Sequence, residues 1–464
     1  MFPAATYIAR RNRLKKDLKS GIILFLGNDK SPINFPDNAY PFRQDSTFLY
    51  FWGIDLPGMA AIIDIEQDRE ILFGRELNIE DIIWSGHQPS LQDHCLKSGV
   101  KDAASLAQLD STLHDAVRQQ RQVHFLPQYR PENLIKIQNL LGLNVAIANY
   151  HSSPALIKAV VAQRSVKTDE EVQQIEDALD AARDMHTLAM RMAQPGVSEV
   201  EIVGAMVGCA HARPGIGLAY PIIFTTQGQV LHNLRHENML RDGDLIINDS
   251  GCESPLHYAS DITRTFPAGG RFNRQQKEIY AIVLQAQQKA IEAIRTGIEH
   301  REVHHIAARE LTVGLKMLGL MSGDPDDAVA AGAHALFFPH GLGHMLGLDV
   351  HDMEDLGENY VGYTDDIQRS PQFGLCYLRL ARRLEPGFVL TVEPGLYFIP
   401  DLIDQWQAEK RCAEFIDYAR VESYRHFGGI RIEDNVLVLP DGRRVLGKPI
   451  AKSIEEVEAL AGEV

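Results

Sequence analysis

The chain has 464 residues, 45% of them hydrophobic and 23% charged, the composition of a soluble globular protein too long for one ordinary core. Its 46 basic and 62 acidic side chains give a net charge of -16, which argues against nucleic acid and anionic membrane as main partners. Five cysteines, at 95, 209, 252, 376 and 412, are scattered and never form C-x-x-C, which fits a reducing cytoplasm and gives no zinc knuckle.

The amino-terminal stretch MFPAATYIARRNRLKK is basic but lacks a continuous apolar segment, so it does not read as a secretory signal. Residues 1 to about 155 alternate apolar runs with amphipathic helices. GIILFLG, FLYFWGI, AAIIDI, REILFG, QVHFLP and NVAIAN read as strands, and an α/β domain follows. None of these runs is long enough to span a bilayer. Thr168 with Glu171 forms a capping-box pattern. Val172, Ile175, Leu179, Ala182 and His186 then recur at helical spacing, so a long helix opens a second domain and closes by Gly196. The expected domains are 1–158 and 159–464. In the second, short strands (DLIIND, HYASDITRTF, FVLTVEPG, GGIRIEDNVLVL) flank helices at about 274 to 295 and 302 to 318. Residues 355–383 read as a long irregular excursion, of a length that is usually functional or mobile.

Those strands carry acids where apolar residues are expected. Asp249 ends DLIIND on the face of Leu245 and Ile247. Asp261 lies within HYASDITRTF, and a short connection lets the two strands pair as a hairpin that brings the two acids together. Glu393 ends a strand before Pro394, which restricts it to extended geometry. Glu433 shares a strand face with Arg431 in GGIRIEDNV. Singly, each is an ordinary turn acid or ion pair, such as Asp261 with Arg264. Together, four buried carboxylates cannot all ionise without cations, and two divalent ions would neutralise them. The segment FFPHGLGHMLGLDVHDME adds three histidines among glycines, His340, His344 and His351. Oxygen-rich ligands with one imidazole suit manganese, iron, cobalt or zinc more than calcium.

At these residues the sequence resembles the pita-bread metallopeptidases, in the proline-directed branch of aminopeptidase P and prolidase. The matching segments are DSGCESPLHYASDITRTFP, PHGLGHMLGLDVHD, LEPGFVLTVEPGLYF and FGGIRIEDNV, with DNAYPFRQDSTFLYFWGI similar to the aminopeptidase P amino-terminal domain. The resemblance implies an α/β amino-terminal domain of the creatinase and aminopeptidase P type, followed by an α+β pita-bread catalytic domain. It implies metal ligands at Asp249, Asp261, His344, Glu393 and Glu433, with Asp261 and Glu433 bridging two ions. Manganese is expected first, with cobalt, zinc and iron as alternatives. His232, His340 and His351 would line the pocket, with His351 or His232 stabilising an oxyanion. Glu393 would take the proton of the attacking water, Arg431 would orient the Glu433 carboxylate, and Tyr397 would do likewise.

The implied activity is hydrolysis of the Xaa-Pro bond at the amino end of peptides by a hydroxide shared between the metals. Prolidase, restricted to dipeptides, is the alternative, because GLCYLRLARRLEPG and YRHFGGIRIEDNV look more like prolidase. A dipeptidase needs a cation for the free carboxylate, for which Arg382, Arg383 and Arg420 are candidates. A peptide-binding module that has lost catalysis is disfavoured because all five ligand positions are filled, and so is metal-free creatinase-like hydrolysis. A methionine aminopeptidase would lack this amino-terminal domain. Asp37 and Trp84, the latter in a loop-like context, are expected to contact substrate from the amino-terminal domain of a neighbouring subunit, in a homodimer or homotetramer.

Overall fold

A computed structural model describes residues 1–462. The chain forms two compact units. The first takes Met1–Arg164 with Glu354–Tyr360, and the second takes Ser165–Met353 with the chain from Val361 onward.

The first unit opens on helix α1 (Ala4–Leu18) and is built on a mixed five-stranded sheet. Its strands are β1 (Ile22–Leu26), β4 (Ala60–Asp64), β5 (Arg69–Gly74), β6 (Asp102–Ser105) and β7 (Val123–His124), in the order β6-β5-β4-β1-β7. Every residue of β1 and β4 is buried, as near-continuous apolar runs require when both sheet faces are covered. A small exposed hairpin, β2 (Pro32–Phe35) and β3 (Asn38–Ala39), stands apart from this sheet.

Two of the six expected strands are not strands. FLYFW belongs to helix α2 (Ser46–Trp52). Asp45 caps its start by accepting the Phe48 N–H, and Gly53 at φ 68° ends it. All seven residues of α2 are buried, so the apolar run has no polar face from which a helical period could be read. NVAIAN also fails as a strand. The Asn144 side chain accepts the Ala146 N–H and its carbonyl accepts that of Ile147, and a 3-10 turn (Ala148–His151) follows. Trp84 lies on a helix rather than a loop, α3 (Ile79–Ser85), which Asn78 and Asp81 cap reciprocally.

In the second unit, Thr168 and Glu171 form the expected capping box on the helix Asp169–Met192. The helices Arg274–Ala293 and His300–Met317 stand where the periodicity places them. The strands are β8 (Gly217–Leu218), β9 (Ile223–Thr225), β10 (Leu245–Asp249), β11 (Cys252–Glu253), β12 (Thr263–Pro267), β13 (Val389–Val392), β14 (Gly395–Tyr397), β15 (Gly429–Arg431), β16 (Asp434–Leu439) and β17 (Gly442–Val445). They form small antiparallel sheets, β12-β10-β9, β13-β16-β17, β14-β15 and β11-β8. The expected hairpin partners β10 and β12 pair with Asp249 opposite Thr263. Asp261 therefore lies just before its strand rather than inside it.

GGIRIEDNVLVL is likewise two strands. β15 and β16 are separated by Ile432 and Glu433, and β13 and β14 by Glu393 and Pro394. Arg264, on β12 and fully buried, stitches these pieces together. It donates to the Glu433 carbonyl at 2.6 Å, to Asp434 at 2.7 Å, to Ile450 O at 3.3 Å and to Ala451 O at 3.1 Å. Its carboxylate partner is Asp434, not Asp261. Residues 355–383 hold only one-turn helices. Among the described residues, no helix is long and apolar enough to cross a membrane.

Candidate metal centre

Four acids of the second unit sit where strands end or break. Asp249 is the last residue of β10, Asp261 precedes β12, Glu393 follows β13 and Glu433 precedes β16. A strand interior would have pointed them into an apolar layer, whereas a break frees the side chain to turn toward its neighbours.

Asp261, His344 and Glu433 converge most closely. Each is buried, and one ligand atom from each lies within 4.8 Å of the other two. His344 Nε2 is 3.3 Å from Asp261 Oδ2 and 3.5 Å from Glu393 Oε1. Its Nδ1 meets its neighbour's carbonyl, Met345 O, at 3.0 Å, which directs Nε2 toward the acids, as in many histidine ligands. Asp249 joins the group through Tyr220, whose hydroxyl is 2.7 Å from Asp249 Oδ1 and 2.5 Å from Asp261 Oδ1.

Each acid is gripped from behind. Arg431 donates to Asp249 Oδ2 at 2.6 Å and to the Tyr397 hydroxyl at 2.9 Å. The expectation that Arg431 orients Glu433 therefore needs correction. Thr263 does so instead, its hydroxyl donating to Glu433 Oε2 at 2.7 Å. The Thr391 hydroxyl accepts the His344 N–H at 3.0 Å and donates to Glu393 at 3.3 Å. Asn435 accepts the Asp261 N–H at 3.1 Å and donates to the Asp261 carbonyl.

The electrostatics are those of too many acids for the cations present. Burial pushes the Glu433 carboxyl well above its ordinary range, and Asp261, Glu393 and Asp249 push it further. Burial raises Glu393 to about 7 against the opposing pull of His344. Burial also raises Asp249, although Arg431 opposes it. Asp261 is held low against its own burial by hydrogen bonds from His344 and Tyr220. His344 is raised despite burial, because Asp261 and Glu393 favour its charged form. Glu433 Oε1 is buried with no hydrogen-bond partner. An orphaned carboxylate oxygen beside an imidazole and a second buried carboxylate is a donor set that a divalent cation fits, and its charge would offset the repulsion.

The remaining predicted residues surround this cluster unevenly. The His351 ring lies 4.3 Å from that of His344, edge-on at an interplanar angle of 65°. His340 is more constrained than expected. Its Nδ1 donates to Gly341 O at 2.8 Å and its Nε2 accepts from the Tyr397 hydroxyl at 2.9 Å, so both nitrogens are occupied by the protein. Burial lowers its pKa to about 3, with Arg431, His232 and Arg379 adding to the effect. His232 is exposed after β9 and acts on this ring electrostatically. Asp37 and Trp84 lie in the first unit, both exposed, Asp37 in the turn between β2 and β3. The cations Arg382 and Arg383 are paired with Glu385 and Glu299, and Arg420 donates to Leu318 O.

Sequence reading missed Tyr220 and Arg379. Tyr220 stands in GLAYP before β9, where only an aromatic ahead of a proline marks it.

The profile of metallopeptidase family M24 matches residues 173–440 of this chain, and that of the aminopeptidase P amino-terminal domain matches residues 7–124. The chain belongs to metallopeptidase family M24. Among M24 relatives, a probable Xaa-Pro aminopeptidase of Aspergillus clavatus is 34% identical, over 99% of this chain and 97% of its own. The Xaa-Pro dipeptidase of Homo sapiens is 29% identical, over 99% and 94%. A structure of an Escherichia coli aminopeptidase P variant in complex with substrate superposes with a TM-score of 0.80 at 30% identity, covering 99% of this chain and 98% of that one. The M24 fold, with its separate amino-terminal domain, and the metallopeptidase class expected from the sequence both hold.

Backbone proximity limits what this centre tolerates. A Cβ on Gly343 would fall 2.1 Å from the Thr391 carbonyl oxygen, on the strand that carries the Thr391 hydroxyl. Gly343→Ala is expected to force β13 away from His344, at a cost of about 1 to 3 kcal/mol in stability. Urea denaturation and elemental analysis should show a lower unfolding midpoint together with reduced bound metal. A variant that keeps both at the parent level would contradict the packing described.

Proposed function

We propose that this chain is an Xaa-Pro aminopeptidase, an exopeptidase that uses two divalent ions to hydrolyse the bond before a proline in second position. The observation that carries it is the buried convergence of Asp261, His344 and the orphaned Glu433 oxygen, joined by Glu393 and Asp249. Asp249, Asp261, His344, Glu393 and Glu433 are the residues that would hold the ions, with Asp261 and Glu433 shared between them. Manganese is the proposed ion, ahead of cobalt, zinc and iron. When bound, such ions polarise a carbonyl and make water a usable nucleophile near neutral pH.

The protein's own groups supply the rest. Glu393, whose carboxylate lies 3.5 Å from His344 Nε2 at the end of β13, is the group that would take the proton of the attacking water. His351, beside His344, donates to the oxygen that gains charge as the carbonyl is attacked. His340 offers its ring rather than a free nitrogen, and a flat apolar contact suits proline. An Xaa-Pro bond has no N–H, so a pocket without an acceptor there selects for it.

One observation favours the dipeptidase reading. Arg379, in the stretch GLCYLRLARRLEPG, helps to lower the pKa of His340, and a cation near that ring is what a dipeptide's free carboxylate would need. Turnover of an Xaa-Pro dipeptide against an Xaa-Pro-Xaa tripeptide separates the two, and the tripeptide is expected to be the better substrate. Failure to cleave either, with metals loaded, would end the proposal.

The ligand assignment has its own test. Glu433→Ala should lose both ions or nearly so, and His344→Ala should lose part of the metal. His351→Ala should keep its metal while kcat falls by roughly 10²- to 10³-fold, as for a lost oxyanion donor. Two full equivalents of metal retained by Glu433→Ala in elemental analysis would contradict the bridging role.

We further propose a cytoplasmic homodimer or homotetramer, in which Trp84 and Asp37 of one chain meet substrate at the site of another. Cytoplasmic residence is supported by five free cysteines. Assembly is supported by α3, which buries none of its residues and leaves Trp84 86% exposed beside Ile79 and Ile83. Trp84→Ala should change the dipeptide-to-tripeptide preference at constant metal content. A fully active monomer by sedimentation at assay concentration, or an unaltered preference, would rule this out.

A further inference from the structure

Beneath the histidine segment lies a charge pair that the metal centre does not use. Lys167 Nζ meets Asp352 Oδ2 at 2.8 Å, and each side chain is only 1% exposed. Both residues belong to the second unit. Lys167 immediately precedes the capping Thr168, and its backbone N–H is pinned to Gly387 O at 2.8 Å, just ahead of β13. The amine is therefore delivered from a fixed position, at the start of a long capped helix and beside the segment that leads into β13.

Asp352 anchors the turn after His344 that carries His351. Its N–H donates to Met345 O at 2.9 Å, and its second oxygen accepts the Asp349 N–H at 3.3 Å. Gly347 donates to Asp349 O at 3.1 Å, and its carbonyl accepts the Ala259 N–H at 2.8 Å, tying the loop to the segment that leads into Asp261. The carboxylate fits so closely over Gly347 that a Cβ there would lie 2.4 Å from Asp352 Oδ2. His351 is the adjacent residue, and its ring is set against His344 by this same loop.

A buried carboxylate is held in place in part by its charge partner, and removing the amine weakens that hold. We infer that the Lys167–Asp352 pair is the positioning element that holds His351 over the reacting carbonyl, so that Lys167 acts on turnover without touching substrate or metal. This rests on the Xaa-Pro peptidase reading and on the pocket role of His351. The ligand His344 shares the Met345 carbonyl with the Asp352 N–H but has further supports of its own, from Thr391 to its N–H and from the Leu346 N–H to Val389 O at 2.9 Å. Loss of the pair should therefore displace His351 more than His344, and turnover should fall before metal binding does.

The test uses the full-length, metal-loaded enzyme on an Xaa-Pro-Xaa tripeptide. Lys167→Met is expected to lower kcat by about 10- to 100-fold, the usual range for a lost outer partner, with KM and metal content near the parent values. The double variant Lys167→Met/Asp352→Asn removes both charges of the pair while keeping an oxygen for the Asp349 N–H, and it should recover much of the lost kcat. A Lys167→Met enzyme that is thermally weaker but turns over at the parent rate overturns the inference. So does a loss of kcat that follows metal content, or a double variant slower than the single. Where Lys167→Met does not yield folded protein, Asp352→Asn and Lys167→Arg carry the same comparison, and parent-level kcat in Asp352→Asn overturns the inference. A parent enzyme that cleaves no Xaa-Pro peptide would instead refute the functional reading itself.

Discussion

The second unit is organised around the repulsion between buried and half-buried carboxylates. Asp249, Asp261, Glu393 and Glu433 share one guanidinium, Arg431, and one imidazole, His344, and in a medium of low dielectric that is an unstable balance. Everything near them limits the cost. Threonine hydroxyls at 263 and 391 and the Asn435 amide occupy lone pairs and backbone groups that would otherwise be stranded. The strands are interrupted where the acids occur, so no carboxylate is forced into an apolar layer. A structure of this kind is stable in proportion to how well it binds a cation, since occupancy removes the repulsion that the fold must otherwise tolerate.

The same constraint explains how much of the site was legible. An acid in an apolar run is conspicuous, and all four stood out in the sequence for that reason. Their exact backbone state was not legible. Alternation placed Asp261 and Glu433 inside strands, whereas the strands begin at Thr263 and Asp434. Period-2 reading has no means of seeing a one- or two-residue break, because apolar neighbours continue on both sides of it. Arg431 shows the related limit. Sharing a strand face with Glu433 suggested a contact, but the guanidinium is long enough to reach Asp249 on another strand.

The fold was legible in the same uneven way. Capping signals performed well, since Thr168 with Glu171 specifies a local hydrogen-bond pair that needs no tertiary information. FLYFW failed because burial on all sides erases the amphipathic signature that separates helix from strand. Tyr220 and Lys167 were invisible for a different reason. Their partners lie 29 and 185 residues away, and nothing local marks a tyrosine or a lysine as buried.

Arg264 carries a kinetic implication. Its bonds to Glu433 and Ile450 span 169 and 186 residues, so the guanidinium stays hydrated until two distant parts of the chain have docked on β12. Closing loops of that length precedes any energetic return, which makes the step slow and late. Until it occurs, the Glu433 backbone lacks the bond that Arg264 gives it. The assembled centre and the native state of this unit therefore arise in one event. Ion capture then reports the completion of folding rather than guiding its early stages.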